Sequence, residues 1–100
     1  MRLTRSTRDG GFDIEAIQTG PVSVRLLVEC KRYAQNRKVG RPTLDGLLAV
    51  LQREGANKAM LATTSSFSKD ALDLLNREPW RLQGMDLEHI LELLRRARRN

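Results

Sequence analysis

Residues 22–31 read VSVRLLVECK, and this two-residue alternation is the strongest constraint on what the chain can fold into. Val22, Val24, Leu26, Val28 and Cys30 fall on one side and Ser23, Arg25, Leu27, Glu29 and Lys31 on the other. The pattern predicts a strand with one apolar face and Cys30 turned toward the core. Just before it, Phe12, Ile14 and Ala16 alternate with Asp13, Glu15 and Ile17, and Thr19-Gly20-Pro21 supplies a turn, so the two runs are expected to pair as an antiparallel hairpin. Ala34 to Thr43 is polar, basic and broken by Gly40 and Pro42, which reads as a loop. Leu44, Leu47, Leu48 and Leu51 then recur at helical spacing, with Gly55 as the stop.

The second half continues the alternation of elements. Lys58 to Thr63 (KAMLAT) is short, apolar and placed between two helices, which favours a buried strand. Ser68 is a suitable N-cap for a helix buried through Ala71, Leu72, Leu74 and Leu75 and ended by Pro79. Trp80-Arg81-Leu82 reads as a last short strand, with Trp80 in the core or an interface. Asp86 caps a final helix buried through Leu87, Ile90, Leu91 and Leu94. The order strand, strand, strand, helix, strand, helix, strand, helix defines an α/β class, a mixed β-sheet flanked by helices.

A chain of 100 residues has room for one domain, here residues 1–100 with a basic tail at 95–100. Apolar runs stay far short of the ~18–20 residues that a membrane-spanning helix needs, and MRLTRSTRDGG lacks the apolar stretch of a secretory signal. One Cys and one His exclude an internal disulfide and a four-ligand zinc site of the usual kind. A cytoplasmic location is therefore expected. Lys and Arg number 18 against 12 Asp and Glu, a net charge of +6, which suits a partner with repeated negative charge, nucleic acid first. Arg2, Arg5, Arg8, Lys31, Arg32, Arg37, Lys38 and Arg41 concentrate that excess in the first half.

Glu29 and Lys31 lie two apart on one strand and project from the same face. Asp13 can join them if the hairpin register sets it across from an odd-numbered residue; with Asp13 opposite Leu27, for example, Asp13 and Glu29 become diagonal neighbours about 7–8 Å apart. Two carboxylates and a backbone carbonyl form a set that a hard divalent cation accepts while keeping waters for substrate phosphates. Such an ion lowers the pKa of a bound water, and a nearby lysine orients the nucleophile. The chemistry points to phosphodiester hydrolysis. Taken alone, a charged solvent face of a hairpin displays the same residues.

The surrounding text adds to this reading. DGGFDIEAI, LLVECKRYA, KVGRPTLDGLLAVL, ANKAMLATTSSFSKDAL and GMDLEHIL occur in that order, and together they resemble the catalytic domain of Mrr-type restriction endonucleases in the PD-(D/E)xK nuclease superfamily. The resemblance runs from about Leu3 to Leu94 and is most specific at Glu29-Cys30-Lys31-Arg32-Tyr33 and Thr63-Thr64-Ser65-Ser66-Phe67-Ser68. It implies a restriction-endonuclease-like sheet with helices on both sides that cleaves DNA with Mg2+. On this likeness Asp13 and Glu29 would be metal ligands, Cys30 would offer its backbone carbonyl, and Lys31 would be the catalytic lysine. Members of that family normally begin with a helix that packs on the sheet, and few residues precede the first strand here. Relative to the family the chain is N-terminally truncated, so it is either a shortened nuclease, one whose cover comes from a second chain, or a decayed one. The expected partner is a second copy, forming a homodimer, or another chain covering the sheet around Phe12, Ile14, Val24 and Leu26, or around the alternative set with Ile17 and Leu27.

Further candidates surround that centre. Arg8 and Arg32 are placed to meet phosphates, and Tyr33 to stack or wedge at a duplex or simply to pack. Thr64 and Ser65 stand where a strand meets a helix N-terminus, able to hold a phosphate or to cap. His89 lies one position off the apolar stripe and reads as a partly exposed helix residue. Cys30 reads as an inert buried thiol. Other classes remain beside the magnesium-dependent endonuclease: a DNA-binding or assembly module without turnover, and a junction-resolving or repair nuclease.

Overall fold

The alternating segment forms β3 (Val24–Lys31), the central strand of a five-stranded sheet in the computed structural model, which describes residues 2–5 and 10–99. On one side β2 (Ile14–Gln18) and then β1 (Arg2–Arg5) add in antiparallel fashion. On the other, β4 (Lys58–Thr63) and then β5 (Leu82–Met85) add in parallel, each reached by a helical crossover. The helices are α1 (Arg41–Glu54), α2 (Lys69–Arg77) and α3 (Leu87–Arg99), which gives the expected mixed α/β sheet. The arginines at 95, 96, 98 and 99 thus belong to a helix.

Local chemistry accounts for the element ends. α1 begins three residues before the leucine repeat, because Pro42 falls in its first turn, where the missing N–H would have no helical partner anyway. It stops where Gly55 enters the left-handed region at φ +64, and the N–H groups of Gly55 and Ala56 return to the carbonyls of Gln52 and Leu51. Ser68 caps α2 as expected, its hydroxyl accepting from the Ala71 N–H at 3.2 Å. Asp86 does the same for α3 through His89 N–H at 3.0 Å. β5 forms at 82–85 instead of 80–82, because Arg81 and Leu82 both donate to the Glu78 carbonyl and tie residues 79–81 into a turn at the end of α2. Trp80 consequently stands 86% exposed and is not a core residue.

The core lies on one face of the sheet. Ala59, Leu61 and Leu82 pack with Leu44, Leu47 and Leu51 of α1 and Ala71 and Leu74 of α2, and register sets Leu27 beside Ala59 and Ala59 beside Leu82. Leu27 is fully buried, so the apolar side of β3 is not the even-numbered set alone. On the opposite face, Val24 is 41% exposed and Cys30 is exposed and turned away from the helical core. A central strand needs apolar groups on both faces. The odd face of β3 meets this need with a single leucine, its other positions being the charged Arg25, Glu29 and Lys31.

Three expected burials also fail. Leu72 of α2 is 48% exposed, and Leu91 and Leu94 of α3 are 41% and 58% exposed, α3 packing on the sheet mainly at its edge strand β5. Among the described residues no helix is long and apolar enough to cross a membrane.

Candidate active site

Glu29 and Lys31 emerge together near the C-terminal end of β3, and Lys31 Nζ lies 3.3 Å from Glu29 Oε1. Both are half-buried, with Leu61 and Thr63 of β4 as their register partners. The β2–β3 pairing aligns Glu15 with Leu27 and Ile14 with Val28, so its continuation brings Asp13 directly across from Glu29. The odd-to-odd condition is met, with the register two residues from the diagonal example. The five-residue connection Thr19–Ser23, which contains Pro21, sets that register.

Asp13 is held at this place by backbone bonds. Its N–H donates to the Val28 carbonyl at 2.8 Å, and its Oδ2 accepts from the Cys30 N–H at 2.6 Å. The carboxylate therefore lies along the backbone that carries Glu29. Partial burial, and then the charge of Asp13, hold the Cys30 thiol above its ordinary pKa.

Upstream, Gly11 adopts φ +77, and a Cβ there would lie 2.7 Å from Val50 Cγ2 of α1. Arg53 of the same helix donates to the Gly10 carbonyl at 2.7 Å. The segment leading into Asp13 is thus docked on the C-terminal half of α1, a role for Gly11 that the sequence signalled only as a glycine pair. Among the described residues no three His, Cys, Asp or Glu side chains cluster. The donors on offer are two carboxylates and the backbone carbonyl of Cys30. These are hard oxygen groups that fit a hard divalent cation, with open positions for water.

A second group of residues ties the loop after Lys31 to the end of β4. Thr64 Oγ1 donates to the Tyr33 carbonyl at 2.9 Å, Gln35 Nε2 donates to the Thr64 carbonyl at 2.7 Å, and Ser65 Oγ donates to the Arg37 carbonyl. Val39 N–H donates to Ser66 O at 2.8 Å, and Ser68 N–H donates to Val39 O at 2.9 Å. Ser65 is 3% exposed, so its hydroxyl serves this loop and does not face solvent. Thr64 is exposed with its hydroxyl engaged, and Arg32 is exposed. The Arg37 guanidinium lies over the Tyr33 ring, 3.9 Å from its centroid. Arg8 lies outside the described residues. His89 is exposed, its Nδ1 2.8 Å from Asp86 Oδ1, on α3.

The mixed sheet, with Glu29 and Lys31 at the end of its central strand and Asp13 alongside, has a restriction-endonuclease-like fold. A family model described as restriction endonuclease (Mrr_cat) matches residues 1–94, and the chain belongs to that family. Among solved structures it is similar to the DNA modification-dependent restriction endonuclease AspBHI, at 26% identity and a TM-score of 0.74 over 96% of this chain and 26% of that one. It also resembles the MspJI restriction endonuclease, solved in complex with a 27-mer oligonucleotide (21% identity, TM-score 0.66, 86% of this chain, 20% of that one). The protein of unknown function AF1548 shares the fold at 19% identity and a TM-score of 0.67, over 91% of this chain and 56% of that one. The chain thus spans about a quarter of AspBHI and a fifth of MspJI. No match was found among curated proteins.

Proposed function

We propose that this chain is a Mg2+-dependent DNA endonuclease domain that hydrolyses phosphodiester bonds, with Asp13, Glu29 and the Cys30 carbonyl as cation ligands and Lys31 as the catalytic lysine. The observation that carries this reading is the Asp13 carboxylate lying along the Val28–Cys30 backbone while Glu29 and Lys31 project side by side from the same strand. When bound, a divalent ion offsets charge on the phosphate and lowers the pKa of a water. The residues themselves do the rest. Asp13 and Glu29 bind, the backbone bonds to Asp13 fix its direction, and the Lys31 ammonium, leaning on Glu29, holds and orients the attacking water. DNA as substrate is supported by the net charge of +6 and by the likeness of this chain to part of MspJI, a restriction endonuclease solved in complex with an oligonucleotide. Sequence specificity, including any reading of modified bases, is assigned to a part outside this chain, and the domain is assigned to the cytoplasm.

The test is nicking of supercoiled plasmid with and without Mg2+. Asp13→Ala and Lys31→Ala are each expected to lower the rate by about a hundredfold or more while the protein still binds DNA. Turnover that survives both substitutions, or needs no divalent ion, overturns the reading. The open, partly apolar even-numbered face of the sheet favours a second reading, an assembly or DNA-binding module without turnover. Binding without nicking by the unaltered chain would establish it, and preferential cutting of branched DNA would point to a junction-resolving nuclease. The same open face is where we place a second copy of the chain.

A further inference from the structure

We propose that Arg37, stacked on Tyr33, is a clamp for a DNA backbone phosphate adjoining the carboxylate site. The inference rests on the reading that this chain acts on DNA and assigns one residue of its substrate interface. No acidic residue occurs between Glu29 and Asp45, whereas Lys31, Arg32, Arg37, Lys38 and Arg41 all fall there. Lys31 pairs with Glu29, and Arg41 lies 3.6 Å from Asp45. Among the described residues Arg32, Arg37 and Lys38 have no carboxylate within ion-pair distance, and all three are exposed.

What separates Arg37 from its two neighbours is order. A surface arginine ordinarily sacrifices rotamer freedom when it grips a phosphate, which subtracts from affinity. Here the guanidinium already rests over the Tyr33 ring at 3.9 Å, a favourable contact between a cation and a π face. The ring supports the guanidinium without using its N–H groups in an ion pair, and the planar N–H fork is the feature by which arginine exceeds lysine at a phosphate. The backbone beneath is fixed as well: Arg37 N–H donates to Ala34 O at 2.9 Å, and buried Ser65 donates to Arg37 O. Thr64 completes the tie to β3 by donating twice: its hydroxyl donates to Tyr33 O and its N–H donates to Lys31 O at 3.3 Å. The spacing between Lys31 and Arg37 is therefore set by the fold.

The experiment is titration of a fluorescent duplex by anisotropy between 50 and 200 mM salt, using the full chain with Ca2+ in place of Mg2+. Arg37→Ala should weaken binding and lower the salt slope by about one, so that its penalty shrinks about 3.5-fold across that range. Arg37→Lys should keep the slope and still bind several-fold more weakly, since charge remains and the planar fork is lost. Arg77→Ala, an exposed arginine on α2, is the control and should change neither. Melting temperatures of the variants confirm that each is folded. A slope unchanged in Arg37→Ala, or a lysine variant equal to wild type, overturns the clamp, as does a chain with no affinity for DNA. Slope loss without plasmid nicking would retain the clamp and reject the nuclease reading; nicking with an unaltered slope would do the reverse.

Discussion

Gly11 governs a residue two positions away. Alanine there meets two separate obstacles, a left-handed φ of +77 and a Cβ 2.7 Å from Val50 Cγ2. Gly11→Ala should lower stability by about 1 kcal/mol or more and depress nicking further than that loss explains, because Asp13 is carried on the same segment. Adding Val50→Ala removes the clash and leaves the φ penalty, so thermal melts should show partial recovery; full recovery, or none, contradicts this division. At this scale the sequence disclosed the pair Glu29 and Lys31, since two residues apart on a strand means one face. It also disclosed that Asp13 could join them. It hid Gly11, whose constraint arises from a helix about forty residues later, and it misdirected Cys30, because one buried Leu27 on the charged side reverses which face of β3 meets the helices.

The turn between α2 and β5 tests an element-level claim about charge. Glu78 accepts from Arg81 Nε at 2.8 Å, and this contact holds its carboxyl below the usual carboxylate range, while the Arg81 guanidinium is raised in turn. A depressed native pKa stabilises above the unfolded carboxylate value and stops doing so as pH falls through the native one. Glu78→Gln should therefore melt slightly below wild type at pH 7, and the gap should close in mildly acidic to acidic buffer. The pair sits at the surface and is only partly buried, so the difference is small at any pH. A gap that widens on acidification refutes the assignment. Elements with their own punctuation were legible in sequence, as with Ser68 before α2, Asp86 before α3 and Gly55 after α1. Those fixed by tertiary packing were not: α3 has an apolar stripe that packs mainly against the edge strand β5 and leaves Leu91 and Leu94 largely in solvent.

For the molecule as a whole, the helices α1 and α2 cover one face of the sheet and leave a groove on the other lined by Ala16, Val22, Val24 and Leu26. Val22 is 76% exposed there. Apolar patches beyond a few hundred Å2 are seldom left to water, and a two-fold pair is the commonest way for identical chains to close one. Sedimentation at micromolar concentration should show reversible self-association that Val24→Asp abolishes. A monomer with no concentration dependence would show that this face is tolerated bare. The sequence offered two candidate faces, one with Phe12, Ile14, Val24 and Leu26 and one with Ile17 and Leu27, and the burial of Leu27 decides between them; the partner of the open face was not legible, since periodicity gives a surface without its occupant.

The two kinds of strand pairing also give the halves of the site different topological reach. Asp13 meets the backbone of Cys30 within a single antiparallel hairpin, across 17 positions. The ties from Thr64 and Ser65 to the loop that carries Tyr33 and Arg37 span 31 and 28 positions, and they exist only once α1 has crossed over and β4 has paired in parallel with β3. A chain in which only the meander had formed would align Asp13 with the Cys30 backbone and lack the bonds that order the Tyr33–Arg37 loop. Closing a longer stretch of chain carries the larger entropic cost, so the alignment of Asp13 depends on the hairpin alone while the order of the Tyr33–Arg37 loop depends on the whole crossover.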